Sequence, residues 1–253
     1  MKVKAGILIL IIIFSAGLAG AADFISLKAE GDRYWPERDN QASLLQAINF
    51  YTSALQIIPD DKDLLTRLSI AYYWKGITIQ EEKKEERKKA FIMGQKFARK
   101  LCELNPDSIE GNFWFTVNKA LYGGEVGVMK SAFMLPDIKK RMKIVMDRER
   151  FYYHGGPQRV LARIDYETPG FLRGSLEKAE AMLKEAILES PNFSLSHIYL
   201  ADIYMAMEKS NLAKNELRLV LELSEDVMPE YKAEIRRDKR RATALIKKYF
   251  GNE

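Results

Sequence analysis

Cysteine is almost missing from this chain: Cys102 is the only one in 253 residues. No disulfide can form within it, so a packed core must hold the fold. Cys102 falls in a helical stretch, where a small, buried, apolar role is expected. Histidine is nearly as scarce. His154 and His197 are the only two, and neither stands at a zinc-ligand spacing from a partner. Also missing are the Gly-x-Ser-x-Gly elbow, the Gly-x-Gly-x-x-Gly turn and the phosphate-loop lysine. His154-Gly155-Gly156 resembles the oxyanion-hole turn of lipases, but without the serine elbow it carries no hydrolase chemistry. Carboxylates are plentiful, and nothing singles out a pair. This inventory predicts no catalytic residue, no metal site and no cofactor, so the chain is not expected to be an enzyme. Forty basic against 35 acidic side chains give a net charge of only +5, too mild to argue for nucleic acid.

Long apolar runs are absent except at the start. Lys2 and Lys4 precede an unbroken run from Ile7 to Phe14. Small residues follow from Ser15 to Ala22. Charge, apolar run and small residues in that order predict a secretory signal peptide over 1–22, cleaved before Ala22 or Asp23, and hence a periplasmic protein. The alternative is a retained N-terminal membrane anchor, since the stretch from Ala5 to Ala22 lies at the low end of spanning length. No lipobox cysteine follows this segment. The folded domain is expected over 23–253.

What is present is a repeat. Ala47, Tyr51, Ala54 and Pro59 stand at offsets 0, 4, 7 and 12, and Ala179, Leu183, Ala186 and Pro191 repeat those offsets. Ala213, Leu217 and Val220 repeat the first three, 34 residues after Ala179. Gly94, Ala98, Leu101 and Pro106 keep the spacing with looser residue types. A second series checks the register. Leu65, Leu68, Ser69 and Tyr72 follow Pro59 as His197, Leu200, Ala201 and Tyr204 follow Pro191. Two helices per period, with small residues where they approach and a proline closing the unit, is the pattern of the tetratricopeptide repeat (TPR). The expected fold is all-α: a TPR-like right-handed helical solenoid of three to four irregular helix-turn-helix units with a C-terminal capping helix. Each pair buries what it cannot bury alone against its neighbour. His197 then occupies a core position, where a packed, hydrogen-bonded role is expected.

The array is irregular in two places. Tyr72 and Gly94 stand much farther apart than Tyr204 and Ala213, and the run from Glu81 to Lys89 alternates in blocks of charge, so lengthened helices with a solvated tip are expected. The segment of about 109–173 reads as an irregular insertion. In it Gly123-Gly124 is expected to break a helix, and Pro136 to open one carrying Ile138, Met142, Val145 and Met146 on one face. A glycine turn is expected at His154-Gly155-Gly156-Pro157, followed by a short helix from Gln158 to Tyr166. From Glu230 to Phe250 an amphipathic helix with Arg236, Arg237, Lys239, Arg240 and Arg241 on its polar face caps the stack.

Four segments together resemble one family. They are Tyr34-Trp35-Pro36-Glu37-Arg38-Asp39, the stretch from Gly111 to Asn118, Phe151-Tyr152-Tyr153-His154-Gly155-Gly156-Pro157, and the lead from Pro169 to Ser175. In that order they are similar to the T component of tripartite ATP-independent periplasmic (TRAP) transporters. The resemblance implies an accessory role in solute transport, an apolar channel for a hydrophobic ligand, and a periplasmic substrate-binding protein as partner. A general TPR scaffold for cell-envelope assembly is the alternative. Phe113, Trp114 and Phe115 are consecutive on a helix and cannot all face one core. Asn118 lies four residues from Trp114 on the same face, Tyr152 and Tyr153 precede the glycine turn, and Arg159 follows it. The candidate ligand-binding residues are therefore Trp114, Asn118, Tyr152, Tyr153, His154 and Arg159. The competing reading is that the aromatics are simply core.

Overall fold

The computed structural model describes residues 20–169 and 174–251. Most of the expected signal peptide (1–19) and part of the lead into the third repeat (170–173) lie outside the described residues. Among the described residues the regular elements are all helical, with no strand. The chain runs α1 (20–34), α2 (Gln41–Ile57), α3 (Lys62–Thr78), α4 (Lys84–Leu104), α5 (Ile109–Val126), α6 (Val128–Ala132), α7 (Leu135–Arg148), α8 (Tyr152–Glu167), α9 (Leu176–Glu189), α10 (Ser194–Ala206), α11 (Ser210–Glu222) and α12 (Lys232–Phe250).

Local chemistry sets where several of these helices begin. The side chain of Asn40 accepts from the backbone N–H of Ala42 and Ser43, Asp61 from Leu64, Ser108 from Gly111, and Ser175 from Lys178. Each satisfies a donor that a helix start would leave orphaned. Pro136 sits in the first turn of α7, where its missing N–H costs nothing.

The small-residue seams are where the spacing puts them. Ala47, Ala54, Ala98, Ala179, Ala186 and Ala213 have no exposed surface. The helices stack in sequence: α3 on α4, α4 on α5, α5 on α7, α8 on α9, and α10 on α9 and α11. The described part of the irregular segment, 109–169, carries on this stack through α5, α7 and α8. Gly94, the loosest match to the repeat, has its own reason. A Cβ there would lie 2.2 Å from Oδ1 of Asn118, whose side chain crosses the seam at that point.

Two local expectations differ from the structure. Gly123-Gly124 does not break a helix: α5 runs through both and ends at Gly127, whose φ of 91° leaves the helical region. Gly123 faces Ser131 and Met134 closely, so it serves helix packing. The charged run is solvated at its tip, but Arg87 turns inward to Glu125 at 2.6 Å and to the carbonyl of Ile79.

The largest difference is α12. Ala233, in its first turn, belongs to the apolar cluster of α2 and α3, while Ala242 belongs to the cluster of α9, α10 and α11. Nine residues of helix span only about 14 Å. The first and last units of the array therefore come close together, and the stack curves around α12. Charged and polar contacts line the same seam. Arg38 pairs with Glu234, Arg237 donates to the hydroxyl of Tyr73, Ser194 donates to Asp238, and Arg236 and Arg240 both pair with Asp39. The helix caps the stack and also ties its two ends.

Candidate functional site

The segment from Phe151 to Pro157 is the most unusual stretch of backbone. Tyr153 (φ 51°, ψ 50°), His154 (φ 55°, ψ 52°) and Gly155 (φ 75°, ψ 29°) are left-handed in succession, and the regular part of α8 begins beyond them. For an L-residue with a side chain that conformation costs roughly 1–2 kcal/mol, so the surroundings must hold it. Arg159 does so from the first turn of the helix. Its guanidinium donates to the carbonyl of Tyr153 at 2.6 Å, to that of His154, and to Oγ of Ser196 at 3.4 Å, and it lies 4.0 Å over the ring of Phe193. Burial lowers Arg159 to about 10, which leaves it cationic at neutral pH. The glycines let the turn press inward. A Cβ on Gly155 would stand 2.6 Å from Cβ of Ala186 on α9, and one on Gly156 2.5 Å from the ring of Phe113 on α5.

Rings gather on this turn. Tyr153 packs edge-on to Trp114 at 5.0 Å, Tyr231 at 5.5 Å and Phe193 at 5.8 Å, and its hydroxyl reaches Glu234 of α12. His154 stacks on Phe193 and meets Tyr231 edge-on at 4.8 Å, with Nδ1 held 3.0 Å from Oγ of Ser190. Tyr152 meets Phe113 at 5.1 Å. Burial, and secondarily the charge of Arg159, push the His154 imidazole below its usual value, so it is neutral at pH 7. Burial also raises the Tyr152 and Tyr153 phenols, and it brings Tyr231 up to about 12, so all three remain protonated donors.

Beside the turn opens a cleft of about 450 Å³, lined by Glu149, Phe151, Tyr152, Tyr153, His154, Glu189, Ser190 and Tyr231. That size falls within the range of small-molecule sites. Of the six residues singled out from sequence, Tyr152, Tyr153 and His154 line the cleft. Arg159 sits behind them as the support of the turn. Trp114 lies beneath, buried against Tyr153. Asn118 is elsewhere, with no exposed surface, and its amide donates to the carbonyls of Trp114 and Ser69 in the seam of α3, α4 and α5. Phe151, directly before Tyr152, also lines it; Glu149, Glu189, Ser190 and Tyr231 were not legible as cleft residues, because they come from the end of α7, the end of α9 and the approach to α12. Among the described residues no group of His, Cys, Asp or Glu is arranged to hold a metal, and no helix is long and apolar enough to cross a membrane.

The model of the TRAP transporter T-component family matches residues 62–250. The chain belongs to the TRAP transporter T-component family. The match starts at the first residue of α3 and ends at the last of α12, so it includes the helix that ties the two ends. A crystal structure of a thermophilic TPR protein from Thermus thermophilus superposes with a TM-score of 0.62 at 16% identity, covering 88% of this chain and all of the other. At that identity the likeness shows the TPR fold alone. No curated protein matches the chain by sequence.

Proposed function

We propose that this T component works on the periplasmic side of the envelope as a binding accessory of a TRAP-type solute transport system. In this reading it holds a small ligand in the cleft beside the left-handed turn and docks with a periplasmic substrate-binding protein. No catalytic step is part of it. The observation that carries the reading is the cleft itself: the left-handed backbone at Tyr153 and His154, held by Arg159, borders a space about the size of a metabolite, which Tyr152 also lines. Strain of this kind is retained where function uses it. The anticipated ligand path ran past Trp114, but the packing around that ring moves the proposed site outward, to the side of Tyr152 and Tyr231.

The test is native mass spectrometry of the full chain purified from the envelope, with the mature N-terminus read in the same spectrum. The expected result is a start at residue 22 or 23, a co-purifying small molecule that is lost in Tyr231→Ala, and a complex with a substrate-binding protein. A chain that carries no small molecule under any condition would end the ligand reading.

A second reading, a general scaffold for envelope protein assembly, draws on a different observation. Met129 on α6 is 74% exposed and Phe133 just after it 85%, with Val128 beside them. Apolar patches of this kind mark protein contacts. Protein partners recovered without small ligand would favour it.

A further inference from the structure

Gly127, at φ 91°, ends α5 and turns the chain into the five residues of α6. The inner side of α6 is packed: a Cβ on Gly123 would lie 3.2 Å from Cβ of Ser131 and 3.6 Å from Sδ of Met134. That contact turns the other side outward. Met129 and Phe133, one helical turn apart, are 74% and 85% exposed, and Val128 is 50% exposed. Lysines flank them in the chain. From Val126 to Ile144 there are five basic residues and one acidic. Lys130, Lys139 and Lys140 are exposed, and none forms an ion pair among the described residues. The nearby acids are already neutralised. Glu125 pairs with Arg87 at 2.6 Å, and Asp137 pairs with Lys119 at 2.5 Å and Arg141 at 3.1 Å. Asp165 of α8 faces Lys139 beyond ion-pair distance. The excess charge around the apolar residues is therefore positive.

An exposed ring and thioether flanked by free lysines match one kind of cover, a lipid surface with anionic headgroups. A symmetric contact with a second copy would bring the lysines against each other. We propose that this face rests on a membrane surface carrying anionic lipid. Phe133 and Met129 enter the acyl boundary, and Lys130, Lys139 and Lys140 meet headgroup phosphates. This gives to lipid the face that the scaffold reading gives to protein. The patch adjoins the start of α7, whereas Glu149, on the cleft border, lies just past its end, roughly 20 Å along the helix. No cleft residue takes part, so the assignment does not depend on the ligand reading.

The experiment places a reporter in the patch, as Phe133→Trp in the full chain, and adds vesicles with brominated acyl chains. The signal is read as the difference from wild type, in which Trp74 and Trp114 are buried. Because it comes from position 133, an apolar segment at the N-terminus does not by itself produce it. On vesicles of phosphatidylcholine and phosphatidylglycerol, about three to one, a blue shift and quenching are expected. Each lysine at an anionic surface changes partitioning about fivefold. Lys130→Gln, Lys139→Gln and Lys140→Gln together should therefore weaken binding at least about thirtyfold, with an unchanged melting temperature. Phosphatidylcholine alone should bind weaker by a similar factor, and rising salt should weaken binding to the mixed vesicles. No quenching by brominated lipid would overturn the proposal. So would equal quenching on phosphatidylcholine alone, or quenching that the triple lysine variant keeps. A reporter already shielded without lipid, with a sedimentation coefficient that falls in Phe133→Ser, would give the face to a second copy and overturn it too. Shielding by a co-purifying protein would overturn it in favour of a protein partner.

Discussion

Arg38 and Glu234 are 196 residues apart in sequence, yet they form a buried ion pair that joins the first unit of the array to α12. Both side chains are nearly inaccessible to solvent, and Arg38 donates further to the carbonyls of Glu230 and Trp35. Burial raises the Glu234 carboxyl despite this partner. Removing Arg38 takes away the main partner of the buried Glu234 carboxyl and leaves it the Tyr153 hydroxyl and the field of Arg237. Arg38→Met is therefore expected to cost about 3–5 kcal/mol in urea denaturation, and Arg38→Met with Glu234→Leu to recover most of the loss. A double variant no more stable than the single one would mean that the pair does not act as a unit.

The left-handed turn makes a second prediction. Gly155→Ala places a Cβ both in an unfavoured conformation and against Ala186. The expected loss is about 2–4 kcal/mol, from strain and overpacking together. A melting temperature within a degree of wild type would show that the turn is softer than its contacts imply.

His197 gives a pH dependence with a definite sign. Nδ1 lies 2.6 Å from the Glu216 carboxylate and Nε2 2.8 Å from the Pro191 carbonyl. A carboxylate and a carbonyl only accept, so this pair of contacts favours the doubly protonated ring. Burial opposes that charge, but Glu216 and the carbonyl outweigh it and the folded-state value is raised above 6.5. A raised value means that the folded state binds the proton more tightly. The stabilisation is fully present below the unfolded-state value and is lost as pH rises through the folded one. Urea midpoints measured from pH 5 to 9 should fall across that window in wild type and stay flatter in Glu216→Gln. Identical profiles would sink the assignment.

Asn118 and Glu189 separate stability from binding. Asn118→Ala removes the hydrogen bonds to Ser69 that join α3 to α5 and opens space at Gly94, so a loss of about 2–4 kcal/mol is expected. Glu189→Gln, on the exposed border of the cleft, should change stability by less than about 0.5 kcal/mol. Measuring both by chemical denaturation tests whether the core and cleft residues are distinct sets. A neutral Asn118→Ala would show that its hydrogen bonds carry little.

Much of the architecture could be read along the chain because it is set within one or two helical turns. Small residues at offsets 0 and 7 share one helix face whatever surrounds them, and Asn40, Asp61, Ser108 and Ser175 cap the helices that follow them. Gly123-Gly124 misled for the same local reason. Glycine weakens a helix, but it ends one only where the backbone leaves the helical region, and here Gly127 does so. Tyr152, Tyr153 and His154 could be found because they adjoin the glycines that permit their turn.

By itself the sequence determined a helical TPR array, its register, and the place of an unusual turn, since helix phase, capping and glycine tolerance act between near neighbours in the chain. Only the tertiary structure decided that α12 ties the two ends together, that Asn118 belongs to a seam, and that Glu149, Glu189 and Tyr231 meet around one cleft. Those outcomes depend on the curvature summed over many small helix-to-helix rotations, and no single residue encodes that sum.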